Sequence, residues 1–355
     1  MAEAEKKPIL SAKPPEELPG EGFRKRQIAH WLYKRGAREF DEMTDLPRAL
    51  RKALAENWRV SEFDLVQAFP SADGSVKYLF TLKDGKQTEA VYLPYKDRKT
   101  VCLSSQVGCP VGCTFCATGA LGFGRNLTPW EILDQLLAIA HHQGIPPTEI
   151  RNVVLMGMGE PLLNLDAVTA AIRRMIDKNA LGMSPRRITL STVGIPKGIR
   201  RLAEEDLGVK LALSLHAPDD ETRKKIIPTA KAYPVDEIMD AVADYFNQTK
   251  RRVTFEYVML KGINDAPHQA REVARLIKDR RIVAHVNLIP FNPWEGAPVE
   301  GTPKAGIRRF AEILEKEGIP TTIRWSRGVD VGAACGQLAL ERKTISFYDV
   351  YKGPE

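Results

Sequence analysis

From about residue 99 onward the chain repeats one pattern six times: a short apolar strand, a loop, then a helix with one apolar face. The strand-like stretches are Thr100–Ser104, Asn152–Met156, Arg187–Ser191, Lys210–Leu215, Val253–Leu260 and His285–Ile289. One intervening helix opens Thr128-Pro129-Trp130-Glu131, which joins a capping box to a proline in the first turn. Others run from Val235 to Phe246 and from Pro267 to Lys278. Alternation of this kind predicts a parallel sheet covered by helices, most simply a barrel or part of one. Such folds carry their chemistry at the carboxyl ends of the strands.

The stretch before residue 99 reads differently. Residues 1–20 are rich in Glu, Lys and Pro and are expected to form a mobile leader. Residues 21–70 read as a small basic helical domain. Its first helix spans Phe23 to Gly36, and Leu46-Pro47 opens a second that carries Leu50 and Leu54. Between Phe23 and Lys52, nine Lys/Arg stand against four Asp/Glu, so this stretch holds most of the chain's net charge of +7. Arg24, Lys25, Arg26, Lys34, Arg35 and Arg38, beside Trp31 and Tyr33, suit a polyanion with exposed bases; a core position is the expectation for Trp31. Val76–Leu82 and Thr88–Leu93 alternate around Lys83-Asp84-Gly85-Lys86, a hairpin within a linker region at 71–98. The barrel is expected over 99–345, with a short tail at 346–355. The start lacks the apolar core of a signal peptide, and no apolar run approaches the roughly 18 residues of a membrane span. A cytoplasmic protein with no membrane partner is expected.

Five cysteines are present, and Cys102, Cys109, Cys113 and Cys116 fall within fifteen residues while Cys335 stands apart. An odd number argues for metal or redox chemistry rather than a disulfide framework. Cys109-Pro-Val-Gly-Cys113-Thr-Phe-Cys116 follows the first barrel strand directly. Three thiolates in one loop can hold three corners of a four-iron cluster and leave the fourth iron open. A zinc site with a fourth ligand from elsewhere is the alternative, although zinc motifs usually come as two spaced pairs.

This C-x3-C-x2-C loop resembles the signature of radical S-adenosylmethionine enzymes. The surroundings narrow the match. Thr100-Val-Cys102-Leu-Ser-Ser-Gln106-Val-Gly-Cys109, Cys116-Ala-Thr-Gly119, Gly122-Phe-Gly-Arg125-Asn126-Leu and Ala333-Ala-Cys335-Gly-Gln337-Leu resemble the RlmN/Cfr family of RNA adenine methyltransferases, over most of the chain. The resemblance implies a partial (βα)6 radical-SAM barrel with a small helical N-terminal RNA-binding domain. It also implies a 4Fe-4S cluster on Cys109, Cys113 and Cys116 and S-adenosylmethionine at the strand ends. The cofactor contacts it implies are Gly159 and Glu160 in Met156-Gly-Met-Gly-Glu160, Ser191, the run Ser214-Leu215-His216, and Asn292 against the adenine. Taken singly, these residues read as turns, caps or hydrogen-bonded structure.

The resemblance further implies a two-stage methylation with two S-adenosylmethionine molecules. Cys335 would take a methyl group and deliver it, after hydrogen abstraction, to the base as a covalent protein–RNA link. Glu89 would be the proton acceptor. Cys102 would be the resolving thiol, attacking Cys335 to release product and leaving a transient disulfide. On their own, a strand cysteine reads as a small core hydrophobe and a glutamate beside a hairpin as solvated. The substrates implied are adenine 2503 of 23S rRNA and adenine 37 of tRNAs, methylated at carbon 2. An electron donor such as a flavodoxin is the expected partner, and a monomer the expected state. The N-terminal module and Arg327-Gly-Val-Asp330 favour this over a Cfr-type carbon 8 enzyme, although Val329 stands where an acidic residue is often found. A non-enzymatic iron–sulfur or zinc RNA-binding protein is the reading from another class.

Overall fold

The computed structural model describes residues 7–340; residues 1–6, 341–345 and the expected tail at 346–355 lie outside it. Its strands are β1 (Phe63–Pro70), β2 (Val76–Leu82), β3 (Gln87–Tyr95), β4 (Arg98–Cys102), β5 (Gln106–Gly108), β6 (Phe123–Asn126), β7 (Asn152–Leu155), β8 (Ile188–Thr192), β9 (Lys210–Ser214), β10 (Val253–Met259), β11 (Ala284–Pro290) and β12 (Thr321–Ile323). The helices are α1 (Phe23–Ala29), α2 (Arg48–Asn57), α3 (Ala117–Ala120), α4 (Pro129–His142), α5 (Leu165–Ile176), α6 (Pro196–Glu204), α7 (Asp220–Ile226), α8 (Val235–Thr249), α9 (Pro267–Asp279) and α10 (Lys304–Lys316).

Ten strands form one sheet in the order β1-β2-β3-β4-β7-β8-β9-β10-β11-β12. From β4 onward every pairing is parallel, as helical crossovers require. The six expected strands are β4 and β7 to β11, and no pairing joins β12 back to β4 among the described residues, so the sheet is an open, partial barrel. The expected hairpin of β2 and β3 is not a separate linker. With β1 it forms an antiparallel extension that continues the barrel sheet through β3 and β4. This continuity positions Glu89, because Val91 lies opposite Cys102 in the β3–β4 register.

Helix α4 shows why the sequence signals work. The Thr128 side chain accepts from the Glu131 N–H at 3.1 Å, and Glu131 accepts from the Thr128 N–H at 2.8 Å. Two otherwise unpaired donors are satisfied reciprocally, and Pro129 occupies a position that needs no donor. Arg125 on β6 then grips the Glu131 carboxylate with two hydrogen bonds of 2.8 Å. The cysteine-bearing loop is tied through β6 to the start of this buried helix.

Two expectations before residue 70 are corrected. The leader is not loose from Pro8 onward: Leu10 and Leu18 are fully buried, and Leu10 donates its N–H to the Arg59 carbonyl at 2.8 Å. Arg38 is not a free cation for a polyanion, because it makes a buried two-pronged ion pair with Asp134 of α4. That pair docks the helical module on the barrel, and one continuous apolar core runs through both. Trp31 packs partly buried against that core, its indole N–H donating to Asp45 at 2.5 Å.

Candidate functional site

The chain leaves β4 at Cys102 and turns at once into β5, which pairs with β6 as a separate two-stranded ribbon. The ribbon pinches both ends of the loop that holds Cys109, Cys113 and Cys116. The Cys109 N–H donates to the Gly122 carbonyl at 2.8 Å, and Cys116 donates to Cys113 at 3.1 Å. Gly119 lies flat on this turn; a Cβ there would stand 2.8 Å from the Cys113 carbonyl oxygen.

All three cysteines line a cavity at the carboxyl ends of the parallel strands. Burial pushes the Cys109 thiol up to about 12, and the charges of Glu160 and Cys116 push the same way. Burial, then Cys116 and Cys109, hold Cys113 well above the usual thiol range. Three half-buried thiols crowd one wall of the cavity. Thiolate ligation to iron would satisfy them, so the donor set fits a cluster. Among the described residues no three His, Cys, Asp or Glu side chains form a single-ion site.

The remaining wall is built by the ends of β7 to β11. Gly157, Gly159, Glu160, Ser191, Ser214, His216 and Asn292 all line it. Gly159 has φ of 103°, and a Cβ there would meet Gln106 at 2.6 Å, so only glycine serves. The Glu160 carboxylate accepts the Leu162 N–H at 3.0 Å and the Val193 N–H at 2.7 Å, fixing two loops with one side chain. The Ser191 and Ser214 hydroxyls are 3.3 Å apart. His216 follows β9 with φ of 59°; its Nδ1 accepts the Val258 N–H at 3.0 Å, and burial drives its pKa down to about 3. It is therefore a neutral ring. Leu215 departs from the set, since its side chain is fully buried and does not reach the cavity; its carbonyl accepts from Arg223 Nε at 3.1 Å.

Cys335 lies on the same wall, exposed to the cavity. Its loop is pinned from several sides. Asn292 donates to the Cys335 carbonyl at 3.0 Å, Ala117 donates to Gly336 at 2.7 Å, and Gln337 donates to Pro293 at 2.8 Å. Farther back, Asp330 accepts from Ser71 at 2.6 Å and Asp73 accepts from the Gly328 N–H at 2.9 Å, so the β1–β2 turn anchors the loop.

Cys102 and Glu89 do not line this cavity. Cys102 packs with Val91, Met158, Ala333 and Leu338, and burial, followed by the nearby Cys335 charge, pushes its thiol up to about 12. Its neighbour across the packing is thus the Cys335 loop. Glu89 is far from solvated: it is 0% exposed, with Lys77 Nζ 3.1 Å from Oε1 and the Ala339 and Leu340 N–H groups at 3.0 and 3.3 Å from Oε2. Burial raises its pKa, and Lys77 opposes the rise.

Two charged cavity residues escaped the sequence reading, Glu256 and Arg324, and behind them Asn287 donates to Glu256 Oε1 at 2.9 Å. Glu256 had a signal, a lone carboxylate inside the apolar run Val253-Thr-Phe-Glu-Tyr-Val-Met259.

This geometry has counterparts. Residues 103–277 match the family model described as the radical SAM superfamily, and residues 16–60 match that of the ribosomal RNA large subunit methyltransferase N-terminal domain. A "probable dual-specificity RNA methyltransferase RlmN" of Thermus thermophilus is 75% identical over 94% of this chain and 94% of its own length. One of the same name from Deinococcus deserti is 55% identical over 92% of this chain and 95% of its own. The chain belongs to the RlmN family of radical SAM RNA methyltransferases. The crystal structure of a radical SAM methyltransferase from Sphaerobacter thermophilus, 43% identical, superposes with a TM-score of 0.88 over 94% of this chain and 100% of that one. Membership in this superfamily implies S-adenosylmethionine and a 4Fe-4S cluster, in keeping with the donor set on the cavity wall. Among the described residues no helix is long and apolar enough to cross a membrane.

Proposed function

We propose that this enzyme methylates carbon 2 of adenine 2503 in 23S rRNA and of adenine 37 in tRNAs, using Cys335 as a methyl carrier. The observation that carries the reading is the placement of Cys335 on the same cavity as Cys109, Cys113 and Cys116, with Cys102 packed beneath its loop. The dual-specificity names of the Thermus and Deinococcus relatives support the pair of substrates.

Cys109, Cys113 and Cys116 would hold the cluster, and Gly159, Glu160, Ser191, Ser214, His216 and Asn292 would cradle S-adenosylmethionine. Once bound, these groups supply the methyl group and the radical that activates it. Cys335 accepts one methyl as a thioether and later bonds through that carbon to the base. Glu89 accepts the ring proton. Cys102 then attacks the Cys335 sulfur as a thiolate, forming a disulfide; the methylene left on the adenine takes up a proton to become the methyl group, and the disulfide must be reduced before another round. The small residues Ala333, Ala334 and Gly336 leave room for two partners at Cys335 in turn. The cluster would need an external electron donor, for which a flavodoxin is suited, and the disulfide a thiol reductant. Arg26 and Arg35 of the N-terminal module are exposed cations suited to meet RNA phosphates.

The test is mass spectrometry on RNA and protein from the same cells. Adenines of 23S rRNA and tRNA should carry methyl at carbon 2, and the Cys335 peptide should carry one added methyl that a Cys113→Ala variant lacks. Cys102→Ala should accumulate the covalent protein–RNA link. Methylation at carbon 8 alone would sink the assignment.

A further inference from the structure

A row of polar side chains crosses the floor of the cavity through the middle of an otherwise apolar sheet. Glu256 on β10 is in register with Ser214 on β9 and with Asn287 on β11. Ser214 in turn reaches Ser191 on β8 at 3.3 Å. In this row every hydroxyl or amide named has a partner, and so does Glu256 Oε1, which accepts from Asn287 at 2.9 Å. Glu256 Oε2 does not. The residue is only 3% exposed, it lines the cavity, and Oε2 is the one cavity-lining atom among the described buried side-chain oxygens that lack a hydrogen-bond partner. Arg324 stands 3.8 Å from the other oxygen, too far for a hydrogen bond; burial raises the Glu256 pKa, and the Arg324 charge opposes the rise.

A buried carboxylate oxygen without a donor is costly, and proteins keep such groups where a ligand completes them. The missing partner must be a donor. It must also be neutral or cationic. Glu160 cannot share this task, because both of its oxygens already receive backbone N–H groups. A vicinal diol is the donor that suits a carboxylate flanked by hydroxyl-bearing strands, since two O–H groups can bond one acidic side chain, as acidic residues do with nucleoside riboses elsewhere.

We infer that Glu256 is a binding residue of this cavity, taking the ribose hydroxyls of the adenosyl ligand on its unpartnered oxygen. The inference rests on the reading of the cavity as the S-adenosylmethionine site. It adds a fixed charge-assisted contact from β10 to the neutral contacts of β8 and β9, and so it sets the preference for a ribonucleoside over a deoxynucleoside.

The experiment is calorimetric titration of the full, anaerobically reconstituted chain with S-adenosylhomocysteine and with its 2′-deoxy and 3′-deoxy counterparts. Hydrogen bonds to a charged group predict that the wild type prefers the ribo ligand by about tenfold to a hundredfold. Glu256→Leu should lose that preference, with ribo affinity falling to the level of a deoxy ligand and deoxy affinity nearly unchanged. An equal loss for all three ligands would overturn the inference, as a general structural defect would produce it. No binding of any adenosyl ligand to the wild type would instead overturn the reading of the cavity. Should Glu256→Leu fail to fold, Glu256→Gln decides: it keeps the shape and removes the charge, and an undiminished ribo preference would refute the role. Melting temperature gives a second readout. The ligand-free Glu256→Gln chain should melt no lower than wild type, because the carboxylate is uncompensated until ligand binds; a marked drop would make Glu256 structural.

Discussion

Lys77→Met tests whether the Lys77–Glu89 pair governs the state of the proposed proton acceptor. Glu89 is fully buried, with Lys77 Nζ 3.1 Å from one oxygen and two backbone N–H groups on the other. Breaking a buried pair of this kind costs about 3–5 kcal/mol when the orphaned charge persists. The carboxyl has one escape, which is to bind a proton. From an ordinary glutamate value of 4.5, that costs about 1.4 kcal/mol per pH unit. The ceiling on the loss is therefore roughly 3.4 kcal/mol at pH 7 and roughly 1.4 kcal/mol at pH 5.5. Folded Glu89 already has a raised pKa, and losing Lys77 raises it further, so the penalty must grow as pH rises. Urea unfolding of the anaerobic chain at pH 5.5, 6.5 and 7.5, with m-values compared, reads it directly. Lys77→Met should lose about 2–3 kcal/mol near pH 7 and 1 kcal/mol or less at pH 5.5. Lys77→Met/Glu89→Gln should recover most of the loss, because a neutral pair leaves no charge buried. A loss independent of pH, or a double variant no better than the single, would refute the reasoning.

Other perturbations follow from the same geometry. Glu62, squeezed by burial and by Asp134 and Glu131, has its pKa pushed up to about 7. A raised carboxyl stabilises the fold fully below about pH 4.5, and that contribution is lost as pH climbs to 7. Glu62→Gln should flatten this part of the stability–pH curve and gain about 1–2 kcal/mol at pH 8, and a variant with the wild-type slope would contradict it. Gly119→Ala drives a Cβ to within 2.8 Å of the Cys113 carbonyl; iron per chain after reconstitution should fall severalfold while circular dichroism stays unchanged. Asp330→Ala releases the Ser71 and Ala72 contacts and should speed hydrogen exchange over residues 328–338 alone, leaving the barrel helices protected as in the wild type.

Much of the fold could be read from the sequence because it rests on local periodicity. The six parallel strands were placed to within two residues, since buried strands in a helix-covered sheet must be apolar and must be bounded by turns. What escaped depended on distant partners. Strand β1 carries Gln67 and ends at Pro70, and it is held as an edge strand only by β2. Strand β12 is three residues long. Leu10 and Leu18 look like stray apolar residues in a polar leader, and their burial exists only because α1, the turn after it and α5 meet there; Tyr33 and Arg174 both hydrogen-bond the Ser11 carbonyl. Arg38 finds its carboxylate on Asp134, 96 residues along the chain. For the site, the family resemblance named residues that the fold brings together on one cavity, and strand-end position explains why they meet there. A positive φ at His216 turns that ring into the cavity and leaves the Leu215 side chain in the core.

Glu89 and Cys102 share a face of the β3–β4 pair, since Val91 stands opposite Cys102 and Glu89 is two residues along. The proposed scheme asks both for proton chemistry, and one carboxylate cannot hold two protons. If Glu89 has taken the ring proton, it cannot also receive the proton of the Cys102 thiol when that sulfur attacks. Burial pushes that thiol up to about 12, so its reactive thiolate is on the order of one part in 10⁵ at pH 7. When the thiolate attacks, the methylene left on the adenine takes up one proton to become the methyl group; with the Cys102 proton lost to solvent beforehand, release of methylated RNA from Cys335 should accelerate about tenfold per pH unit between pH 7 and 9. A single-turnover chase of the covalent protein–RNA link, quenched with a thiol-trapping reagent at each pH, measures that slope. A flat profile would mean that the Cys102 proton never reaches solvent and is delivered inside the site, to the methylene carbon or to Glu89, which would refute a release step limited by free thiolate.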